Sequence, residues 1–124
     1  MRISGFQHIN IRSADAEQAR DFYVTIIGLR AGDRPPFQSI GYWLYLGDQP
    51  IVHLVQRGPD EPATSGSGNL DHVAFCGVDL EATRAALAAA GVSFREAIVP
   101  RDQTRQIFVR DPDGIMLELN FSPK

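Results

Sequence analysis

The sequence predicts an α+β fold built from two copies of a βαβββ module, and three observations carry that prediction. The first is a repeat. His8, in Phe6-Gln7-His8-Ile9-Asn10-Ile11, stands 64 positions before His72, in Leu70-Asp71-His72-Val73-Ala74-Phe75. His53, in Ile51-Val52-His53-Leu54-Val55, stands 65 positions before Glu118, in Met116-Leu117-Glu118-Leu119-Asn120. The second is helix punctuation at nearly the same offset: Asp15 and Asp79 are N-cap residues, and Gly28 and Gly91, 63 positions apart, are stops. The third is the stretch Arg57 to Asn69, rich in Gly, Pro, Ser and Asp, which reads as an exposed joint between the halves.

Each element follows in order. Residues 6 to 12 alternate as a half-buried strand does and end in Ser13-Ala14-Asp15. With Gln18 in capping-box position, Ala16 to Ile27 reads as a helix whose buried stripe is Ala19, Phe22, Tyr23 and Ile26. Three strand-like runs follow: a weak one near Ala31 to Phe37, then Ile40 to Leu46 and Ile51 to Gln56. The second half begins with a strand over Leu70 to Cys76 and a helix of alanine-rich sequence over Leu80 to Ala90. Its three remaining strands are Phe94 to Val99, Arg105 to Arg110 and Ile115 to Phe121. Turns at Gly47-Asp48-Gln49-Pro50 and Asp111-Pro112-Asp113-Gly114 join the last two strands of each half. The expected organisation is one domain over 1–124, made of modules at about 1–57 and 69–124 with a linker at 58–68. A module of this size cannot bury one face of its sheet alone, so two must pack together or pair across a dimer.

Strand parity sorts the side chains into two faces. Ile9 and Ile11, Val52 and Leu54, Val73 and Phe75, and Leu117, Leu119 and Phe121 form the apolar face that suits helices. His8, His53, His72 and Glu118 all fall on the opposite face, with the three histidines expected inside strands. Trp43 and Tyr45 oppose Leu44 and Leu46, while Gln106, Phe108 and Arg110 oppose Ile107 and Val109; with Arg12, they are the expected wall of a substrate pocket. A sheet curved around this face would gather the four donor residues in one concavity. Cys76 shares the parity of His72 and is expected to be a small buried hydrophobe.

Composition narrows the function classes. The chain has 124 residues, 44% hydrophobic and 22% charged, as ordinary globular proteins have. A net charge of -3 gives no electrostatic basis for binding nucleic acid or an anionic membrane. One cysteine cannot form an internal disulfide, and the sequence shows neither a secretory leader pattern nor an apolar run long enough to span a bilayer. A cytoplasmic location is the expectation.

The chain resembles the vicinal oxygen chelate superfamily, which includes glyoxalase I, extradiol dioxygenases, methylmalonyl-CoA epimerase, fosfomycin-modifying thiol transferases and the metal-free bleomycin-resistance proteins. The resemblance rests on His8 followed by a capped helix with Asp21-Phe22-Tyr23 and Gly28-Leu29, on Asp71-His72-Val73-Ala74-Phe75, and on Asp111-Pro112-Asp113-Gly114 leading into Leu117-Glu118-Leu119. It implies paired βαβββ modules that form a curved mixed sheet, a cup, with the helices on its outer face. It also implies a divalent metal held by His8, His72 and Glu118, with His53 in the fourth ligand position, and a homodimer. His53 departs from the pattern, because glyoxalase I has glutamate at that position and the epimerase glutamine. Arg12 matches an arginine that binds the glutathione carboxylate in glyoxalase I.

Two imidazoles and a carboxylate are the set that holds Zn, Ni, Fe(II), Mn or Co while leaving positions open for substrate oxygens. The expected function is therefore a metal-dependent enzyme of the glyoxalase and dioxygenase type. It would chelate a small oxygenated substrate for isomerase, lyase or ring-cleaving chemistry, with Glu118 and His53 as the catalytic groups. The alternative is a metal-free module that binds a drug or another small molecule, as the bleomycin-resistance proteins do. Within one chain or across a dimer, either arrangement of the ligands satisfies the parity.

Overall fold

The computed structural model describes residues 2–123, so Met1 and Lys124 of the expected modules lie outside the described residues. The chain divides into two compact units, Met1–Ala63 and Thr64–Lys124.

The first unit contains β1 (Ile9–Ser13), α1 (Ala16–Phe22), a π-helical turn (Tyr23–Ile27), β2 (Arg30–Gly32), β3 (Gly41–Leu46) and β4 (Gln49–Gln56). The second contains β5 (Val73–Gly77), α2 (Leu80–Ala89), β6 (Arg95–Ile98), β7 (Arg105–Arg110) and β8 (Met116–Phe121). Each unit is one βαβββ module with a four-stranded mixed sheet, in the order β1-β4-β3-β2 and β5-β8-β7-β6. In both sheets the first strand pairs parallel to the last and the other pairs are antiparallel. The fold class is α+β, as the repeat and the helix punctuation predict.

The helix signals work as expected. Asp15 accepts a hydrogen bond from the Gln18 amide at 3.0 Å, and Asp79 accepts one from the Ala82 amide at 2.9 Å. Gly28 and Gly91 end the two helical segments in the left-handed region, at φ 90° and 68°. The first helix differs from expectation in its second half. From Tyr23 it widens into a π-turn, closed by the Gly28 amide on the Tyr23 carbonyl at 2.9 Å. Val24, Thr25, Ile26 and Ile27 are four consecutive β-branched residues, which crowd an α-helix and are accommodated by the wider turn. Ala16, Ala19, Phe22, Tyr23 and Ile26 are buried, the expected stripe with Ala16 added.

The core of each sheet lies on its apolar parity. Ile11, Leu44, Val52 and Leu54 are buried in the first unit, and Ile107, Val109, Leu117, Leu119 and Phe121 in the second. Two short strands hold the ends of the modules. A tight turn at Gly47-Asp48 joins β3 to β4, and a bulge at Leu44/Tyr45 shifts the register beside Pro50, which cannot donate to the ladder.

Three expectations about strands are corrected. β1 and β5 begin later than expected, so His8 and His72 each precede a strand by one residue, while His53 is inside β4. The β1 ladder stops short of Pro50, which has no N–H, and the β5 ladder starts level with Leu117, just past the turn that begins β8. The weak strand near Ala31 to Phe37 is reduced to β2, and residues 33–40 form an irregular loop around Pro35-Pro36. Cys76 is exposed, because its side of the β5 edge strand is not the helix side.

Candidate metal centre

Register places the donor residues in equivalent slots. In the first sheet Asn10, His53 and Trp43 are aligned across β1, β4 and β3, and in the second Ala74, Glu118 and Phe108 are aligned across β5, β8 and β7. His53 and Glu118 thus occupy the same position of their modules, on the second strand from the edge. In the second sheet the face opposite the helix is half-buried, with Met116, Glu118 and Asn120 alternating with the buried Leu117, Leu119 and Phe121; in the first, His53 on that face is itself buried.

In the second unit the structure brings His72 and Glu118 together. His72 Nε2 lies 3.3 Å from Glu118 Oε1, a separation that suits two ligands of one ion. Each group is fixed from behind. The His72 Nδ1–H donates to Asp71 at 2.9 Å, leaving the Nε2 lone pair free for a ligand bond. Glu118 Oε2 accepts from Asn120 Nδ2 at 2.8 Å, and Asn120 Oδ1 in turn accepts from Gln106 Nε2 at 3.0 Å. Gln106, expected in the pocket wall, is the outer end of the hydrogen-bond chain that reaches the carboxylate. The Asp71 hydrogen bond, assisted by the Glu118 charge, pushes the His72 imidazole above its ordinary value.

In the first unit the structure brings His8 and His53 together. Their rings stack with centroids 3.8 Å apart and planes 12° from parallel, and the other face of His53 stacks on Trp43 at 4.0 Å. The His8 Nδ1–H donates to Gln7 Oε1 at 2.9 Å, so its Nε2 is the free nitrogen, as in His72. His53 is reversed. A carbonyl can only accept, so its Nε2, 3.1 Å from the Pro50 oxygen, carries the hydrogen and Nδ1 carries the lone pair. Burial pushes the His53 imidazole below its ordinary value, and the neighbouring His8 and Arg34 charges add to that effect. His53 is therefore neutral at neutral pH and retains an acceptor nitrogen.

The remaining expected site residues are held by local contacts. The Arg12 Nε–H donates to Glu61 Oε2 at 2.7 Å and Arg12 Nη2 to Glu61 Oε1, a bidentate pair that holds the Glu61 carboxyl down at about 2. Tyr45 donates its hydroxyl to the Asp33 carbonyl at 2.6 Å and carries Arg30 over its ring at 4.9 Å. Phe108 carries Arg95 over its ring at 4.3 Å, and Arg110 donates to the Gly114 carbonyl at 2.8 Å. Among the described residues no group of three His, Cys, Asp or Glu is placed to bind a metal. His72 and Glu118 are a nitrogen and oxygen pair with converging atoms, whereas His8 and His53 are stacked face to face, so their in-plane lone pairs run parallel and would have to turn to share an ion.

Residues 5–119 match the family described as the Glyoxalase/Bleomycin resistance protein/Dioxygenase superfamily. The chain belongs to this superfamily. It is 30% identical to the uncharacterized protein YaeR of Escherichia coli over 90% of this chain and 92% of that one. It is 24% identical to glyoxylase I 4 of Arabidopsis thaliana, over 96% of this chain and 71% of that protein. A mutant of the genomically encoded fosfomycin resistance protein FosX of Listeria monocytogenes, complexed with Mn(II) and 1S,2S-dihydroxypropylphosphonic acid, has the same fold. It aligns at a TM-score of 0.77 and 18% identity, over 98% of this chain and 95% of that one.

Two features of the superfamily fold in this chain escape strand periodicity. One is the hydrogen-bond chain behind Glu118, for which the only sequence signal is the shared parity of Gln106, Glu118 and Asn120. The other is the loop at 33–40, which places Arg34 beside the His53 and Trp43 stack. Its signal is Gly41, a bare strand position, which marks close approach of other atoms. A cleft of about 800 Å³ lies elsewhere, at the start of α2, lined by Gly77, Asp79, Ile98, Gln103, Arg105 and Phe121 among others. It contains none of the donor residues and holds no chemistry of this kind. No helix among the described residues is long and apolar enough to cross a membrane.

Proposed function

We propose that the chain is a metal-dependent enzyme that binds a small oxygenated substrate by chelation, with isomerase, lyase or ring-cleaving chemistry. The observation that carries this reading is the pair His72 Nε2 and Glu118 Oε1 at 3.3 Å, with both outer atoms anchored by hydrogen bonds. An anchored imidazole and carboxylate with converging inner atoms are built for a cation. His8 and His53 complete the proposed ligand set, whose donors fit Zn, Ni, Fe(II), Mn or Co. The FosX complex with Mn(II) supports a divalent metal in a protein of this fold.

When bound, such a metal supplies Lewis-acid charge for two adjacent substrate oxygens. The chain's own residues do the rest. With Oε2 held by Asn120, Glu118 Oε1 is the atom that would bind the metal or, when not bound to it, accept and return a proton. His53, neutral and with its one lone pair on Nδ1, serves either as the fourth ligand or as the second proton acceptor, not as both. Trp43, Tyr45, Phe108 and Arg110 are the proposed walls that orient the substrate and exclude water. A homodimer and a cytoplasmic location are part of the same reading.

A second reading is favoured by one observation, the face-to-face stack of His8, His53 and Trp43, which suits a planar ligand in a metal-free binding module. Elemental analysis of untagged protein, with titration of Zn, Ni, Mn and Fe(II), separates the two. About one equivalent bound per chain, lost in His72→Ala with the fold intact, is expected; less than about a tenth of an equivalent for every metal would sink the enzyme reading. A screen of catechols and hemithioacetals with and without air then selects the reaction. Oxygen uptake with Fe(II) selects ring cleavage, and turnover without oxygen selects isomerase chemistry.

A further inference from the structure

Arg34 has a cationic head with no carboxylate at ion-pair distance among the described residues. Its Nη1 donates to the Ser39 carbonyl at 3.0 Å and its Nη2 to the Ser39 hydroxyl at 3.1 Å. The guanidinium stands over the Phe37 ring, 5.1 Å from the centroid, and Phe37 leans against Trp43 at 6.4 Å. Gly41 makes the place for it. A Cβ on Gly41 would lie 2.8 Å from Arg34 Nη2, so the head group rests on bare backbone of β3. Gly41 has the parity of Trp43 and precedes it by two residues. The head therefore lies on the face that carries Trp43 and, across the ladder, His53.

Two deficits coincide at this head group. Its Nε is buried and has no hydrogen-bond partner. A buried donor left without an acceptor costs about 1–3 kcal/mol, more when charged. Its charge also lacks a counter-ion. Arg12, Arg20, Arg84 and Arg105 each have a carboxylate within ion-pair distance, whereas among the described residues none lies within that distance of Arg34, Arg30, Arg95, Arg101 or Arg110; of these five only Arg34 also has a buried Nε without a partner. Arg105 shares the unpartnered Nε but faces Glu96 at 3.8 Å, so its charge is met. Nε is shielded from solvent and each terminal nitrogen spends one hydrogen on Ser39, so an oxyanion would be met by the charge of this half-buried, ring-stacked guanidinium and by the second N–H of Nη1 and of Nη2, which donate as a pair.

We propose that Arg34 seats an oxyanion group of the substrate, carboxylate or phosphate-like, beside the Trp43 and His53 stack. The substrate class is then a small anionic oxygenated molecule. The assignment rests on the reading of this face as the substrate face, and it adds a binding residue from a loop that strand parity does not reach.

Trp43 is the one tryptophan of the sequence, so its emission reports on the seat directly. The full chain, kept metal-free with a chelator, is titrated with inorganic phosphate and separately with acetate at constant ionic strength. A saturable change in Trp43 emission with at least one anion is expected, and the stronger response names the group. Arg34→Gln is expected to weaken the apparent affinity by about tenfold or more, and Arg34→Lys to restore part of it, because an ammonium keeps the charge but loses the fork. No saturable response in the wild type, or an Arg34→Gln titration equal to the wild type, overturns the proposal. The Arg34 Nε–H resonance of the wild-type protein gives a second reading that needs no variant: it should move with the anion, and a fixed resonance at saturating anion overturns the seat. Metal uptake measured in parallel on the same protein freed of chelator keeps the two readings apart. Anion binding without metal uptake retains the seat and removes the metal enzyme, whereas metal uptake with no anion response removes the seat alone.

Discussion

Arg12 and Glu61 illustrate how one contact changes the role available to a residue. An arginine in a bidentate pair is not a free cation, so any substrate anion at Arg12 must displace the Glu61 carboxylate. The pairing also sets an acid titration. The Glu61 carboxyl is held at about 2 against an ordinary 4.5, first by the Arg12 hydrogen bond. A carboxyl depressed in the folded state contributes stability that is fully present above the ordinary value and is lost as pH falls from about 4.5 to about 2. The side chains are solvent-exposed in part, so the pair adds little to the total at neutral pH. Carbon-detected titration of Glu61 should give a midpoint near 2, and Arg12→Met should raise it toward the ordinary 4.5 without reaching it, because the Gly58 amide still donates to the carboxylate. An unmoved midpoint would mean that the Gly58 amide, not Arg12, holds the carboxylate. A second residue-scale outcome concerns Asn120. Its amide fixes Glu118 Oε2, so Asn120→Ala is expected to weaken metal binding by about 10–100-fold while the fold persists. Equal affinities in a metal titration of the two proteins would show that the amide does not orient the ligand. The equivalent slots of His53 and Glu118 were legible from parity and repeat spacing, because both side chains follow the two-residue period of a strand. Arg34 and Glu61 were not, because they sit in loops, where placement comes from long-range contacts with no period to read.

At the scale of elements, caps and turns carry the clearest correspondence between residue type and geometry. Asp15 and Asp79 were readable as caps because a short acidic side chain ahead of a helix has one obvious use, accepting the third amide. The π-turn was not readable in that way. A run of β-branched residues lowers helix propensity, but whether the chain ends or widens there depends on what the buried Tyr23 and Ile26 pack against. The β7–β8 turn gives a test of element stability. Asp111 is 4% exposed, and its Oδ1 accepts from both the Asp113 and Ile115 amides at 2.9 Å. Removing it strands two amides in a part-buried turn directly ahead of the strand that carries Glu118. Asp111→Ala should therefore cost about 1–3 kcal/mol in denaturant unfolding, against about 1 kcal/mol for Asp79→Ala, where only a cap is lost. Equal costs at the two positions would contradict the weight placed on the turn.

For the whole molecule, the repeat raises the question of why two modules with one plan differ at equivalent slots. His53 and Trp43 face each other in the first sheet where Glu118 and Phe108 do in the second. One module thus has a nitrogen donor where the other has an oxygen donor, and the proposed ligand set takes two donors from each half of the sequence. That composition has a thermodynamic consequence. A metal that binds only the folded chain stabilises it by about 2.7 kcal/mol at a hundredfold excess over its dissociation constant. For a chain of 124 residues this corresponds to a rise in melting temperature of roughly 5–15 °C, to be read by differential scanning calorimetry with and without chelator. His72→Ala removes a donor of the second half and His8→Ala one of the first. If the set is as proposed, each variant alone abolishes most of the metal-dependent rise while melting normally in chelator, since His72 is exposed and neither side chain belongs to the apolar core. If His72→Ala abolishes the rise and His8→Ala leaves it intact, the metal belongs to the second half only. His8 and His53 are then an aromatic platform for the substrate, not ligands.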